Sequence, residues 1–543
     1  MKRKAIALLC TMALAVSALS GCGKEPAGGQ ADTGEQSSVS EESVASSPEA
    51  GEESSEAEEE AAGNGELEYV ELDWYFCING SGTDAGLIQE ALDTYFKEKL
   101  NCKVNLHILG GDYKDVISTM LLSGEDFDLV MLDGGRGVSY LTYASQDVFY
   151  PLEELWDYGS NVKALFKDAV WDAVKVNGHI YCVPTLKDNA YIMGFVYNDT
   201  LATELGLDVA GQQWNNMMDI EEFAMEAVKL RDEKHPEYAG MPLVAQAPIP
   251  VPYFYALEQL VSSFAVCNVP GLEADPAYDT DTVFNFYESD AYREYALLNQ
   301  RFVEAGVFAY DYNSLDGPVI YEPSTLLCPA WGYTWISEDL HGDAYKTKLK
   351  VFDKVWTDTS NYTGVGTAIG ANCKNPERAM MVLDLLNSDP YVATLLRFGV
   401  EGEHWEYDGD GKIQLCNRNA DVSNAGWLEW YGIYAGNLTI VDGPESYVGP
   451  DRAVLENIKK YNDEALVAAH MGFVVDTTPI ANEIAACSSV EVEYTSRLNT
   501  GQLASQEDVN KTLDEFIEKL KANGSEKIVA EVQRQLEEWK AGQ

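Results

Sequence analysis

Between Val176 and Asp199 the chain runs through two β-rich apolar stretches separated by Pro184 and a polar passage, Thr185-Leu186-Lys187-Asp188-Asn189. A proline cannot donate to a sheet ladder, so the first strand is expected to stop there and a second to begin beyond the polar residues. A single hydrophobic core stops growing near ~250–300 residues, and this chain has 543. At least two lobes are therefore required, and this segment is expected to pass from one to the other. The cleft beside such a hinge is the natural place for a site.

Upstream, the pattern is that of alternating strands and helices. Glu68–Cys77 alternates towards Leu72, Trp74 and Phe76, and Leu87, Ala91, Leu92 and Phe96 then share one helical face. Lys103–Leu109 is the next strand. A helix carrying Val116, Ile117, Met120 and Leu121 follows, capped by Asp112 and stopped by Gly124. Phe127–Leu132 is a third strand and leads into Asp133-Gly134-Gly135. Strands alternating with helices predict a largely parallel sheet, and such sheets bind ligands at the carboxyl ends of their strands. Trp74, Tyr75 and Asp133 fall near those ends.

The amino terminus reads differently. Lys2, Arg3 and Lys4 precede an apolar run, Ala5 to Leu19, of signal-peptide length. It ends in Leu19-Ser20-Gly21-Cys22, which resembles a bacterial lipobox, so residues 1–21 are expected to be removed and Cys22 lipidated. From Gly23 to Gly65 the chain holds eleven Glu, one Asp and one Lys with few large apolar side chains. Such a stretch cannot bury enough surface to offset its ordering entropy, so 22–65 is read as an acidic tether. The leader's +3 and the tether's −11 leave −44 of the total −52 on the folded body. That charge argues against nucleic acid, whose binding relies on clustered Lys and Arg.

Motifs that carry chemistry are sparse. There is no CxxC pair, no HExxH and no GxxxxGK[ST]. Eight body cysteines are widely scattered and read as buried thiols, with disulfides left open. Thr363–Gly370 is glycine-rich but spaced GxGxxxG, which suits a closely packed strand better than a dinucleotide fingerprint. Asp408-Gly409-Asp410-Gly411 lacks the remaining ligands of a calcium loop and reads as a hairpin turn. Further along, Ile220–Leu230 and Tyr287–Glu304 are amphipathic, Asp275–Tyr287 suggests a hairpin, and Leu326–Trp335 is a buried strand entering an aromatic loop. Asn375-Pro376-Glu377 starts a helix, and Val509–Trp539 contains two. No cofactor and no metal are expected.

A family likeness now emerges. Val176–Pro184 resembles the "nGKiYgvP" segment of extracellular solute-binding proteins of ABC importers, although Cys182 stands where glycine is frequent. Phe195-Val196-Tyr197-Asn198-Asp199 resembles their "lyYNkd" strand. Gly364–Ile369 with Asn375–Ala379 resembles their second crossing region, and Trp331-Gly332-Tyr333-Thr334-Trp335 lies where carbohydrate-type (family 1) members carry an aromatic loop. Phe398–Trp405 and Met471–Cys487 look like a lipoprotein branch associated with sugar uptake. The likeness covers nearly all of residues 66–543.

The resemblance implies an α/β, two-lobed type II periplasmic-binding-protein fold with multiple interlobe crossings. Lobe 1 is then expected to comprise 66–183 plus 352–405, and lobe 2 to comprise 184–351 plus 406–543. Further crossings are expected near Lys346–Thr363 and Glu401–Asp421. It also implies a monomeric lipoprotein on the extracytoplasmic face of the membrane that binds a carbohydrate, in particular an oligosaccharide, and passes it to an ABC permease. Sugars suit such a cleft because an aromatic ring covers the apolar face of a pyranose while polar groups satisfy its rim. Ligand-contacting candidates by alignment are Trp74, Asp133, Lys187, Asp188, Tyr191, Trp331, Trp335 and Trp405. Trp214, Tyr362, Trp427, Trp430 and Asp476 stand in reserve. Two other classes fit the composition, a secreted glycoside hydrolase and a surface-anchored adhesion protein. A glycosidase needs two carboxylates across one sugar bond, and 89 acidic residues make that signal uninformative by itself.

Overall fold

A computed structural model describes residues 67–78, 81–245, 255–272, 274–308, 322–331, 344–409, 413–421, 424–429, 436–441 and 452–542. The leader, the tether and Cys22 lie outside the described residues, as do Trp335, Trp430 and part of the turn at 408–411.

The strands of the first lobe are β1 (Val70–Cys77), β2 (Cys102–Leu109), β3 (Leu129–Asp133) and β4 (Cys182–Pro184). Those of the second are β5 (Met193–Asn198), β6 (Leu257–Val261), β7 (Ala265–Asn268), β8 (Leu327–Trp331) and β9 (Thr347–Val351). The chain then makes β10 (Trp356–Thr357), β11 (Val365–Ile369), a hairpin of β12 (Trp405–Tyr407) and β13 (Ile413–Leu415), and finally β14 (Leu466–Val467). The hairpin is the one its sequence suggested.

One five-stranded sheet has the order β2-β1-β3-β11-β4. β1 pairs parallel to β2 and β3, whereas β11 is antiparallel to both β3 and β4. The direction of β11 follows from the hinge. The chain leaves the sheet at the carboxyl end of β4, so it re-enters at that same edge and its next strand must run away from it. Leu72, Trp74 and Phe76 alternate inward on β1, and Ile88, Leu92 and Phe96 line the inner face of the helix Ala85–Leu100. These side chains belong to one apolar cluster whose burial away from water is the main stabilising term of the lobe.

The second lobe holds a three-stranded antiparallel sheet, β8-β5-β9. On its central strand, at Gly194, a Cβ would lie 2.1 Å from the Lys350 carbonyl oxygen, so no larger residue fits there between β5 and β9. A separate apolar cluster joins the hairpin β6–β7, the helix Asp290–Glu304 and three carboxyl-terminal helices, Ala481–Leu498, Gln506–Ala522 and Ser525–Gly542. The last two of these were expected from the sequence. Asp275–Tyr287 is not itself a hairpin. The Asn268 side-chain amide donates to the Asp275 and Tyr278 carbonyls and folds this segment into turns, and Phe284 bridges to Val266.

Two boundaries differ from expectation. The apolar cluster of the first lobe continues through Ile413, Trp427, Leu438 and Ile458. Ile413, Trp427, Leu438 and Ile458 therefore pack with the first lobe, not with the second lobe assigned from 406 onward. The third crossing consequently falls beyond them. It runs through β14, which pairs with β10, rather than through 401–421. The six cysteines at 77, 102, 182, 267, 328 and 487 are buried free thiols, with Cys373 and Cys416 half-buried and also free.

Candidate functional site

Three segments cross between the lobes side by side. The first, 185–191, bridges through Tyr191 to Trp356 of the second, and β10 of the second pairs with β14 of the third. Asn189 locks the first two together. Its carboxamide donates to the carbonyls of Thr185 (3.2 Å) and Asn361 (2.9 Å), and its own carbonyl accepts from the Thr357 hydroxyl at 2.5 Å. Asn462 of the third segment donates to the Lys187 carbonyl at 2.6 Å.

Beside these crossings lies the edge formed by the carboxyl ends of β1, β3 and β4, at Cys77, Asp133 and Pro184. Asp133 is buried and faces Arg136, whose Nε is 3.2 Å from Asp133 Oδ2 and whose backbone N–H donates to Oδ1 at 3.2 Å. Burial raises the Asp133 pKa, opposed by Arg136 and, more weakly, by Lys187, so the hinge lysine lies within electrostatic reach of the strand end. Lys187 Nζ is 3.5 Å from Asp188 Oδ1, and both side chains keep partial access to solvent. Glu429 comes to this edge because Ser81 and Leu428 exchange backbone hydrogen bonds at 3.1 and 3.0 Å. Burial pushes the Cys77 thiol up to about 12, with the charges of Asp133 and Glu429 adding and Arg136 opposing. The charges of Asp133, Arg136 and Glu429 therefore all act on one buried thiol. Such an edge offers carboxylates and cations for the hydroxyls of a polar ligand.

The predicted residues divide into three groups. Lys187 and Asp188 pair with each other on the first crossing, and the Lys187 charge acts on Asp133 at the strand end. Tyr191 is built into the hinge: its hydroxyl lies 2.8 Å from Ser360 Oγ and 3.3 Å from both Asp358 oxygens, and its ring packs 4.3 Å from Trp356. Trp74 and Trp405 lie in the core of the first lobe. Trp74 is 1% exposed and stacks on Phe76 at 4.7 Å, and Trp405 donates its Nε1–H to the Gly399 carbonyl. The reserve residues Trp214, Tyr362 and Trp427 are also buried, while Asp476 is exposed and caps a turn through the Thr478 N–H. The ladder sets Trp331 opposite Met193, two residues from Tyr191 and thus at the hinge end of the second sheet.

Sequence reasoning missed Arg136, Glu429 and, above all, Asp358. Asp358 is 4% exposed and accepts from the Ser360 N–H (3.0 Å) and hydroxyl (2.6 Å). Burial raises its pKa to about 6, with the Glu258 charge adding and the bonds from Ser360 and Tyr191 opposing. Asp358-Thr359-Ser360 has the signature of an Asx turn, which could have marked it.

Among known proteins, a carbohydrate ABC transporter substrate-binding protein of Streptococcus pneumoniae serotype 4 (strain ATCC BAA-334 / TIGR4) is 28% identical over 459 residues, covering 82% of this chain and 86% of that protein. In sequence the chain is similar to a substrate-binding protein of a carbohydrate ABC transporter, and it has the two-lobed fold of such proteins. The crystal structure of the N-glycan transport solute-binding protein NgtS from Streptococcus pneumoniae aligns with a TM-score of 0.67 at 24% identity, over 86% of this chain and 98% of that one. The same protein in complex with Man5GlcNAc aligns with a TM-score of 0.53 at 23% identity, over 87% and 99%. A domain of unknown function, DUF3502, matches residues 469–541, which begin at the third crossing and end in the last helix. These relatives are transport proteins rather than enzymes, and no helix among the described residues is long and apolar enough to cross a membrane.

Proposed function

We propose that this protein captures an oligosaccharide between its lobes at the edge formed by Asp133, Arg136, Lys187 and Asp188, closes on it about the three crossings, and delivers it to an ABC permease. The observation that carries the reading is the placement of those polar side chains where the parallel strands end and the first crossing begins. Trp331, whose backbone ends β8 opposite Met193, and Trp335, four positions later in the sequence, are the aromatic residues we assign to the ligand. The ligand set proposed here is thus Asp133, Lys187, Asp188, Trp331 and Trp335, with Tyr191 acting on the hinge. Support for a sugar comes from the 28% identical relative and from the oligosaccharide bound to NgtS. Two cations and two carboxylates at the edge, on a strongly acidic body, favour a neutral glycan over a uronate. The protein works as a monomer, with Cys22 lipidated and the acidic tether holding the body off the extracytoplasmic face of the membrane.

The test is a thermal-shift and calorimetric screen of the purified protein against neutral and acidic oligosaccharides. Saturable stabilisation with intact sugar recovered is expected, by mass-action linkage. Release of shorter sugars would replace this reading with a glycoside hydrolase. For any sugar that binds, Trp331→Ala is expected to weaken affinity by more than ~1 kcal/mol, and unchanged affinity removes Trp331 from the site.

A further inference from the structure

The second and third crossings carry buried ionisable groups that ligand capture does not require. His470 follows β14 by three residues and is 1% exposed, and Glu258 on β6 is 3% exposed. His470 Nδ1 lies 2.8 Å from Glu258 Oε2, and its Nε2 lies 3.2 Å from Asp281 Oδ1. Asp281 in turn meets Lys540 of the last helix at 2.5 Å. On the neighbouring crossing, Asp358 senses the same Glu258 charge and is otherwise faced by Tyr191, Ser360 and Tyr362.

Just beyond His470 the chain touches the first lobe. Met471 packs on that lobe's core, and the Gly472 N–H donates to Thr359 Oγ1 at 2.7 Å. Gly472 has φ +93°, and a Cβ there would come within 3.2 Å of Ala173 Cα, at the end of the helix Asp168–Ala173. Phe473 then returns to the second lobe's cluster and donates its N–H to the His470 carbonyl. Residues 470–473 thus clip one lobe to the other and are anchored at His470.

We infer that Glu258, His470 and Asp358 form a proton-operated latch on the hinge. An imidazolium at 470 pins the third crossing to β6 and screens Glu258 from Asp358. Its loss sets two buried carboxylates against each other and loosens the clip on Ala173. The titration behaviour agrees in sign. Burial alone would lower the His470 pKa, but the bonds and charges of Glu258 and Asp281 outweigh it and raise it, and Asp358 is raised as well. Groups whose folded pKa is raised contribute stability below their unfolded values and lose it as pH rises through the folded ones. The latch is therefore tight in mild acid and loosens towards mild alkali.

Hydrogen exchange of the full chain without ligand tests this, read by mass spectrometry on peptides covering 355–362 and 464–474. Because it needs no sugar, its outcome is independent of the proposed ligand. After correction for intrinsic exchange, the wild type is expected to exchange about tenfold faster at pH 8.5 than at pH 6 in these peptides. Glu258→Gln, which removes the charge that the imidazolium offsets, should exchange at the same corrected rate at both pH values, and His470→Gln should be fast at both. Equal acceleration in the wild type and Glu258→Gln, or no acceleration in the wild type, overturns the latch. If His470→Gln does not fold, the comparison with Glu258→Gln decides alone.

Discussion

Replacing Asp358 by asparagine should make the protein more stable at neutral pH and leave it unimproved in acid. In the folded state the Asp358 pKa is raised from 3.8 to about 6, chiefly by burial. Each unit corresponds to ~1.36 kcal/mol, so holding the ionised carboxylate inside the hinge costs about 3 kcal/mol at pH 7.5. Asparagine removes that cost but keeps a side-chain oxygen for the Ser360 N–H and hydroxyl. Those bonds lose their charge-assisted part, worth about 1 kcal/mol. The net gain at pH 7.5 is about 2 kcal/mol, which for a lobe of this size raises the unfolding midpoint by about 5 °C. The sign follows from linkage: a carboxyl with a raised folded pKa favours folding while protonated, and that advantage is lost as pH rises from 3.8 through about 6. At pH 4 the folded wild type is protonated at this site, and the substitution gains nothing. Calorimetric melts of both proteins at pH 4 and 7.5 provide the measurement. A difference of the same sign and size at both values would show that the Asp358 charge is not what the substitution relieves.

Other positions make further demands. Gly194→Ala places a methyl 2.1 Å from the Lys350 carbonyl and should separate β5 from β9, so soluble expression is expected to collapse. Normal yield with an unchanged melting curve would contradict the packing. Arg397 is 1% exposed, its pKa is lowered to about 10 by burial, and the Glu429 charge opposes that fall. Glu429→Gln leaves that cation without its counter-charge, at an expected cost of ~3 kcal/mol in denaturant unfolding. Cys22→Ser should move the protein from the membrane fraction to the medium in cell fractionation, and retention with the membrane would exclude a lipid at that residue.

How much was legible depended on whether the information was local. The helix after Asn375-Pro376 and the strands β1 to β3 declare themselves because periodicity and capping act over a few residues. The first crossing was legible for the same reason, since Pro184 lacks a ladder donor and is the last residue of β4. The aromatics were not. Trp74, Trp405 and Trp427 carry the same side chain whether they meet a sugar or a core, and only the three-dimensional neighbours, Phe76 or the Gly399 and Leu396 carbonyls, decide between them. The third crossing was misplaced because β14 is two residues long, too short for any period to register. Asp358 shows locally only as an Asx turn, and its place in the hinge, like that of His470, is set by partners 167 and 212 positions away.

That brevity has a mechanical consequence. β10 and β14 pair over only two residues, so the backbone ladder contributes little resistance to bending between the lobes. Stiffness must come from side chains that reach from one crossing to the next: Asn189 to Asn361, Thr357 to Asn189, Tyr191 to Ser360, and Gly472 to Thr359. Each is a single hydrogen bond with a net value near 1 kcal/mol, about the scale on which a ligand's differential affinity shifts two conformations. A hinge built from a continuous sheet would be too stiff for that, whereas one built from unpaired chain would be too loose to specify two states. Three short crossings stitched by polar side chains lie between those limits. In such a joint, changing one side chain alters the closing equilibrium without touching the ligand, so Asn189→Ala is expected to change sugar affinity through hinge closure while leaving both lobes folded.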